Sequence, residues 1–308
     1  MRVLVTGGAG FIGSHLCDAL LNRNFDVVSV DHAKNVKNIE HISFSKRFQH
    51  HTFDINDVYE LREVSKGCET IFHLASNSDI RLSETDARID FYNTFKTTWS
   101  VMETARLNSI NKVYFSSSSA VYGNRPDVVF SESMGDIQPI SYYGSCKLSS
   151  ESLISAYSSL NSIDALIFRI SNVVGPRMTH GVVSDFMKKL KNDPKNLEIL
   201  GNGLQSKEYL HVEDLIEGIC GFMQRIDPGV SIYNVSTESS ITVNEIADMV
   251  CSGMGLSDVN YNYVDGAQGW KGDVPKYRLN ISKARSNGWK YKYDSSAAIK
   301  KTIEYFVK

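Results

Sequence analysis

The chain has few features that would set it apart from ordinary soluble globular proteins. It has no Cys-x-x-Cys pair: Cys17, Cys68, Cys146, Cys220 and Cys251 are scattered and odd in number. That usage argues against a disulfide framework or a zinc site and for reduced thiols, so a cytoplasmic protein without a metal is expected. No apolar run is long enough to span a membrane. The short apolar run at the N-terminus reads as a first strand, not as a signal peptide. A formal net charge of −2 offers no basic surface for nucleic acid. Repeats and low-complexity segments are absent. What remains is an ordinary globular composition over 308 residues, enough for one large or two modest domains.

The first fourteen residues organise the rest. Arg2-Val3-Leu4-Val5 is a short apolar run, followed at once by Thr6-Gly7-Gly8-Ala9-Gly10-Phe11-Ile12-Gly13 and then by apolar residues at helical spacing through Leu21. A strand, a glycine turn and a helix make a Rossmann phosphate site. Gly7 serves the tight turn, Gly10 the approach of a pyrophosphate, and Gly13 the close packing of helix on strand. Phe11 and Ile12 lie within the turn, where the helix N-terminus offers N–H groups and a positive dipole end. The spacing is Gly-x-x-Gly-x-x-Gly, and glycines also mark ordinary turns, so the next strand matters. Asp26-Val27-Val28-Ser29-Val30-Asp31 ends in an acid about 20 residues on, where a carboxylate can bind a ribose 2′-OH. It would repel a 2′-phosphate, which favours NAD over NADP; the alternative is a surface aspartate at a strand end.

Further along, the pattern predicts a helix at 57–66, a strand at Thr70–Ala75, a long helix over 86–108, a strand at Lys112–Phe115 running into Ser116-Ser117-Ser118-Ser119, a helix over 142–160 and a strand at Ala165–Ile170. Strands alternating with helices imply an α/β fold, a Rossmann-type doubly wound parallel sheet. The pattern loosens after Asn172. Helices at 183–191, 212–225, 242–254 and 295–307 and a strand at 230–235 follow, with 261–279 expected as a loop. The expected division is 1–171 as an NAD-binding Rossmann domain and 172–308 as a smaller C-terminal α/β substrate-binding domain, with part of 208–236 returning to the first.

Tyr143 and Lys147 stand four apart, on one face of the 142–160 helix. A phenol has a reference pKa near 10; a lysine cation beside it favours the phenolate. With a serine hydroxyl from the preceding strand end, the trio suits removal of an alcohol proton while hydride leaves its carbon for NAD.

At these residues the sequence resembles the extended short-chain dehydrogenase/reductase family, in its sugar-nucleotide epimerase/dehydratase branch. The resemblance runs from Thr6–Gly13 through Asp54-Ile55, His73-Leu74-Ala75, the serine run to Gly123, Tyr143–Lys147, Arg169–Pro176, Tyr209–Leu215 and Gly272-Asp273-Val274-Pro275 to Ser282-Lys283-Ala284. It implies Tyr143 as the base, Lys147 as its partner and a ribose ligand, and Ser118 as the catalytic serine by register, with Ser117 and Ser119 adjacent. It implies that Asp54 and Ile55 meet the adenine, Leu74 and Ala75 the dinucleotide, and Asn93 and Ser116 the cofactor region. On the substrate side it implies Asn172, His180, Gly181, Val182, Leu200, Tyr209 and Asp273, the last on the far ribose. Family members commonly form homodimers through two long helices, here 86–108 and 142–160, where Tyr92, Phe95 and Trp99 could face a partner or the core.

The chain departs from the family at two charged positions. Lys207-Glu208 stands where Arg-Asp is usual, which keeps a charge for a diphosphate but loses the bidentate fork. Trp270-Lys271 stands near a usual arginine, and Lys271 is either its substitute or simply solvated. Dehydratases of the branch typically follow the catalytic position with Asp-Glu; here Ser119-Ala120 follow, which argues against 4,6-dehydration. The resemblance therefore implies a UDP-sugar 4-epimerase. Tyr277, just after Gly-Asp-x-Pro, favours UDP-glucose/UDP-galactose over an N-acetyl sugar. Arg177, with Arg81 more remote, keeps UDP-glucuronate open, unless Arg177 is only a paired rim charge. A non-catalytic NAD sensor of this fold would be expected to lose Tyr143 or Lys147, which are both present.

Overall fold

Strand β1 (Arg2–Thr6) buries Val3, Leu4 and Val5 completely. It leads through the glycine turn into helix α1 (Phe11–Asn22) and strand β2 (Asp26–Asp31), which lies parallel to it with Thr6 opposite Val30. The chain continues through β3 (Phe48–Thr52), α2 (Val58–Val64), β4 (Thr70–His73), a one-turn α3 (Arg88–Asp90), α4 (Thr97–Leu107), β5 (Lys112–Ser118), β6 (Val129–Phe130), α5 (Tyr142–Asn161) and β7 (Asp164–Ile170). Then come β8 (Asn172–Val174), α6 (Val182–Asn192), β9 (Asn196–Leu200), β10 (Ser206–Lys207), β11 (Tyr209–His211), α7 (Val212–Phe222), β12 (Val230–Val235), β13 (Ile241–Thr242), α8 (Val243–Gly253), β14 (Asn260–Val264), β15 (Arg278–Leu279), α9 (Ser282–Ser286) and α10 (Ser295–Val307). This computed structural model describes residues 1–308 except 224–226, 265, 267–268 and 271.

Seven strands form one sheet in the order β12-β7-β5-β4-β1-β2-β3. β1 pairs in parallel with β2 and β4, β2 with β3, and β4 with β5. The order reverses at β1, so this is the Rossmann-type doubly wound sheet, whose ligand crevice opens beyond the carboxyl ends of the strands at the reversal. Leu4, Val28 and Val113 on the strands pack with Val101, Met102 and Ile154 of α4 and α5 in one apolar core.

The chain forms two compact units. One comprises Met1–Val121, Tyr142–Arg169 and Ile216–Tyr233; the other comprises Tyr122–Ser141, Ile170–Leu215 and Asn234–Lys308. A single boundary at 171 does not anticipate Tyr122–Ser141, whose strand β6 pairs in parallel with β15, about 150 residues later. Within the second unit the strands pair two by two: β8 with β11, β9 with β14, β10 with β13, and β6 with β15. Helix α8 opens on a full capping box, in which Thr242 accepts from Glu245 N–H and the Glu245 side chain accepts from Thr242.

Three local expectations change. The helical pattern over 86–108 is interrupted by a π-helical segment, Phe91–Lys96. Its cause is visible in the threonines: Thr97 Oγ1 and Thr98 Oγ1 both donate to Thr94 O, at 2.9 and 2.8 Å, and so compete for the helix's own carbonyls. The expected loop at 261–279 contains β14, which runs parallel to β9 from Asn260 opposite Asn196 to Val264 opposite Leu200. Its Asn-Tyr-Asn-Tyr-Val sequence is half exposed and carries little apolar signal. The serine run is itself strand, since β5 continues to Ser118.

Candidate active site

In the first unit, the turn after β1 is shaped by close backbone approaches. Gly7 has φ +73°, and a Cβ there would stand 2.8 Å from Ala75 N; a Cβ on Gly13 would stand 2.0 Å from Gly7 O. Gly10, in contrast, is exposed and a Cβ on it would meet only Gly7 O, at 3.1 Å. Gly10 is the N-cap of α1, and no side chain caps that helix. The N–H groups of Phe11, Ile12 and Gly13 are therefore first-turn donors without helical partners, suited to an anion. Asp31 is almost buried, and its two oxygens accept from Ala9 N–H at 3.1 Å and Ala33 N–H at 3.0 Å. These bonds fix the carboxylate against the turn and leave each oxygen further acceptor capacity. Leu74 and Ala75 follow β4 beside it, tied by their N–H groups to Thr6 O and Thr6 Oγ1. Asp54 is exposed, while Ile55 belongs to the apolar core. The Asn93 side chain is exposed on the π-helical segment; its neighbour Thr94 is the residue turned inward.

The serine run distributes its hydroxyls among different partners. Ser116 Oγ donates to His73 O at 3.4 Å. Ser117 Oγ donates to Glu151, which also forms a buried ion pair with Arg169 at 2.7 Å. Ser118 Oγ accepts from Ala120 N–H at 3.2 Å and is hydrogen-bonded to the Tyr143 hydroxyl, as is Ser76. The Tyr143 hydroxyl is enclosed, though its ring is partly exposed, and burial pushes it up to about 12 against the pull of Ser118 and Ser76. Lys147, one turn along α5, is fully buried; its Nζ donates to Ser116 O at 2.5 Å and lies 5.7 Å from the Tyr143 ring centre. Burial pulls its pKa down to about 7, with Glu151 and Asp90 acting to raise it. Behind them, His73 is held neutral by burial, pulled down to about 3, and links Thr6 (2.8 Å) to Thr98 (3.2 Å). The arrangement can hold and move a proton at the Tyr143 oxygen.

The second unit gathers another set. Asn172 lies opposite Tyr209 in the β8–β11 pair, and its side chain hydrogen-bonds the Tyr209 hydroxyl, which burial raises above the usual phenol range. The Tyr277 hydroxyl accepts from Asn172 N–H at 3.1 Å and donates to Glu208 O at 3.4 Å, with its ring buried. Lys207 pairs with Asp273 at 2.6 Å, and its Nζ lies 4.9 Å from the Trp270 ring centre. Leu200 ends β9, half-buried. Arg177 is half-buried with φ +68°; His180 and Gly181 are exposed ahead of α6, which Val182 begins. Lys271 lies outside the described residues.

Residues 3–236 match the profile of a protein family described as the NAD dependent epimerase/dehydratase family. The chain belongs to that family. Its cofactor is NAD, and the uncapped α1 terminus, the open face of Gly10 and the tethered Asp31 fit a dinucleotide. This family member is 30% identical over 310 residues to a putative UDP-glucose 4-epimerase of Methanocaldococcus jannaschii, covering 98% of this chain and 97% of the relative. It is 28% identical over 317 residues to the human dTDP-D-glucose 4,6-dehydratase, covering 99% and 89%. A crystal structure of a UDP-galactose 4-epimerase superposes with a TM-score of 0.87 at 34% identity, covering 99% and 98%. The protein has no helix long and apolar enough to cross a membrane and no cluster suited to a metal ion, among its described residues.

Sequence reasoning missed Ser76, Thr94 and Asp90, which reach the Tyr143 region from the end of β4 and from the helix before α4. It also missed Glu151, for which a signal existed: Tyr143, Lys147 and Glu151 recur every four residues on one helical face.

Proposed function

We propose that the protein is an NAD-dependent UDP-sugar 4-epimerase interconverting UDP-glucose and UDP-galactose. The observation that carries this reading is the meeting of Ser118 and Tyr143 on the enclosed phenol, with Lys147 one turn away. Tyr143 must first lose its own proton and then, as phenolate, accepts the proton of the sugar's 4-hydroxyl, and Ser118 shares that hydrogen bond. Lys147 supplies positive charge behind the phenol. NAD held at the glycine turn and Asp31 would supply the acceptor for the hydride leaving carbon 4 and the donor for its return. Between those events the 4-keto sugar presents its other face, so the centre inverts with no net redox change. The nucleotide must be gripped and the sugar left free to turn; Lys207, Asp273, Asn172, Tyr209 and Leu200 serve the grip, with His180, Gly181 and Val182.

Ser119 and Ala120, which form a short turn after Ser118, provide no acid to expel a 6-hydroxyl, which supports epimerisation over dehydration. The buried, tethered Tyr277 ring supports an unsubstituted sugar over an N-acetyl sugar. Arg177 favours a second reading, UDP-glucuronate, because its charge could meet a carboxylate. The exposed aromatic residues Tyr92 and Trp99 support a homodimer through the helices at 86–108 and 142–160, which light scattering would test. For the reaction, proton NMR of the purified protein with UDP-glucose, UDP-N-acetylglucosamine and UDP-glucuronate in separate tubes decides it. A new 4-epimer anomeric signal with UDP-glucose is expected. Conversion of UDP-glucuronate alone promotes Arg177, and no conversion in any tube with NAD present rejects the reading. Tyr143→Phe should abolish turnover and retain NAD.

A further inference from the structure

Asp90 closes α3 immediately before the π-helical segment and is fully buried. Its Oδ1 accepts from Asn77 Nδ2 at 2.8 Å, but its Oδ2 is buried with no hydrogen-bond partner. A buried carboxylate oxygen without a donor is costly, and the fold tolerates this one at an informative place. Helices α4 and α5 run side by side: Thr98 Oγ1 and Ser150 Oγ lie 3.0 Å apart, and the Tyr157 hydroxyl donates to Glu103 at 3.1 Å, pairs separated by 52 and 54 positions. Carried back along the same direction, that offset sets Asp90 abreast of the first turn of α5, where Tyr143 stands. Both α3 and the π-helical segment pack on α5. A polar chain joins the two sides: Ser76 meets the Tyr143 hydroxyl, Ser76 Oγ lies 3.2 Å from Thr94 Oγ1, Thr94 Oγ1 accepts from Asn77 N–H at 3.3 Å, and Asn77 holds Asp90.

We propose that Asp90 is a positioning residue whose carboxylate, abreast of the first turn of α5, favours the protonated forms of both Tyr143 and Lys147. The proposal rests on the reading of that pair as the proton-transfer machinery. The other charged and titratable groups around the pair are already engaged. Glu151 on α5 is bound to Arg169 of β7 and to Ser117. His73 of β4 is neutral, and burial raises the Cys146 thiol to about 11. Asp79 and Asp86, on the turns before α3, pair with Arg81 and Arg88. Asp90 alone among these carboxylates faces the site without a cation at ion-pair distance. Its charge acts in one direction on both members of the pair, opposing proton loss from the phenol and from the ammonium. For Lys147 it therefore adds to the larger effect of Glu151 in counteracting the burial that would otherwise strip the cation.

The test is Asp90→Asn, which removes the charge but keeps an acceptor for Asn77. Lysine labelled with a nitrogen isotope at Nζ is followed by NMR against pH, with the Lys147 signal assigned by its loss in Lys147→Met. This readout needs neither cofactor nor substrate, so it can succeed or fail whatever sugar is turned over. The expected result is a Lys147 titration roughly one pH unit lower in the variant, with the alkaline limb of the kcat/KM profile moving the same way. An unchanged Lys147 titration in a variant with wild-type thermal unfolding overturns the proposal and leaves Asp90 a structural residue. Should Asp90→Asn fail to fold, Asp90→Glu keeps the charge and should titrate as wild type; a displacement toward lower pH overturns the proposal equally.

Discussion

Gly10 and Gly13 belong to one motif, yet substituting alanine at each should fail in a different way. At Gly13 the new methyl would stand 2.0 Å from Gly7 O, 2.8 Å from Gly7 C and 2.9 Å from Gly8 Cα, all of them backbone. That backbone is pinned, because Gly7 N–H donates to Val30 O at 2.8 Å and the space beyond Gly7 is filled by Ala75. The turn must move by about 1 Å or the helix must lift, an overpacking cost of about 2–3 kcal/mol. For a unit of this size that lowers the melting temperature by roughly 5–10 °C, and it displaces the N–H donors of α1 as well. At Gly10 the methyl meets only Gly7 O at 3.1 Å, on a residue with φ −72° and ψ 179° that alanine adopts freely. Gly10→Ala should leave the melting temperature within about 2 °C, because reduced freedom of the unfolded chain offsets the mild contact. It should still weaken NAD about tenfold or more, a loss of at least about 1.4 kcal/mol, since the methyl occupies the open face that a phosphate must approach. Differential scanning calorimetry and calorimetric NAD titration separate the two effects. Wild-type stability in Gly13→Ala, or wild-type NAD affinity in Gly10→Ala, would refute the reasoning.

Glu151→Gln should cost about 3–5 kcal/mol in urea unfolding, because it removes the carboxylate charge that faces the buried Arg169 cation; a loss under about 1 kcal/mol would show the pair to be inessential. His73 is neutral in the fold at about 3 and would titrate near 6.5 when unfolded. Its contribution is therefore complete above about pH 6.5 and is lost as pH falls toward 3, by about 2 kcal/mol between pH 7 and 5. His73→Gln should flatten that part of the stability profile, and an unaltered slope would exclude His73 as its source. Arg177→Ala should sharply reduce uronate turnover and spare neutral sugars if the carboxylate reading holds, whereas equal losses in both assays count against it.

What could be read from the sequence was local. The β1–turn–α1 segment declares itself because strand, glycines and helix are adjacent, and the Tyr143–Lys147 face because four-residue spacing is a property of any helix. The π-helical segment could not be read, since it depends on the Thr97 and Thr98 hydroxyls both turning back to the Thr94 carbonyl. The burial of Asp90 could not be read either: its partner Asn77 follows strand β4, outside the helix that carries Asp90. Strand β14 escaped because its stabilising partner β9 lies 64 residues earlier and its own composition is polar. The exposed Asn93 shows a further limit: the family register selects a position, while the local winding of the helix decides whether Asn93 or Thr94 faces inward.

The interleaved path of the chain also bears on how the molecule is made. The central sheet ends, in space, with β7 and then β12, yet β12 spans Val230–Val235, far along the polypeptide from β1 to β5. During synthesis, β1 to β5 can pair early, but the outer edge of β7 stays bare until some sixty further residues have emerged. An open edge of apolar strand is a template for pairing with another chain, and such intermediates are prone to aggregate. Destabilising changes near β12 should therefore lower the yield of folded protein more than their effect on the finished molecule suggests.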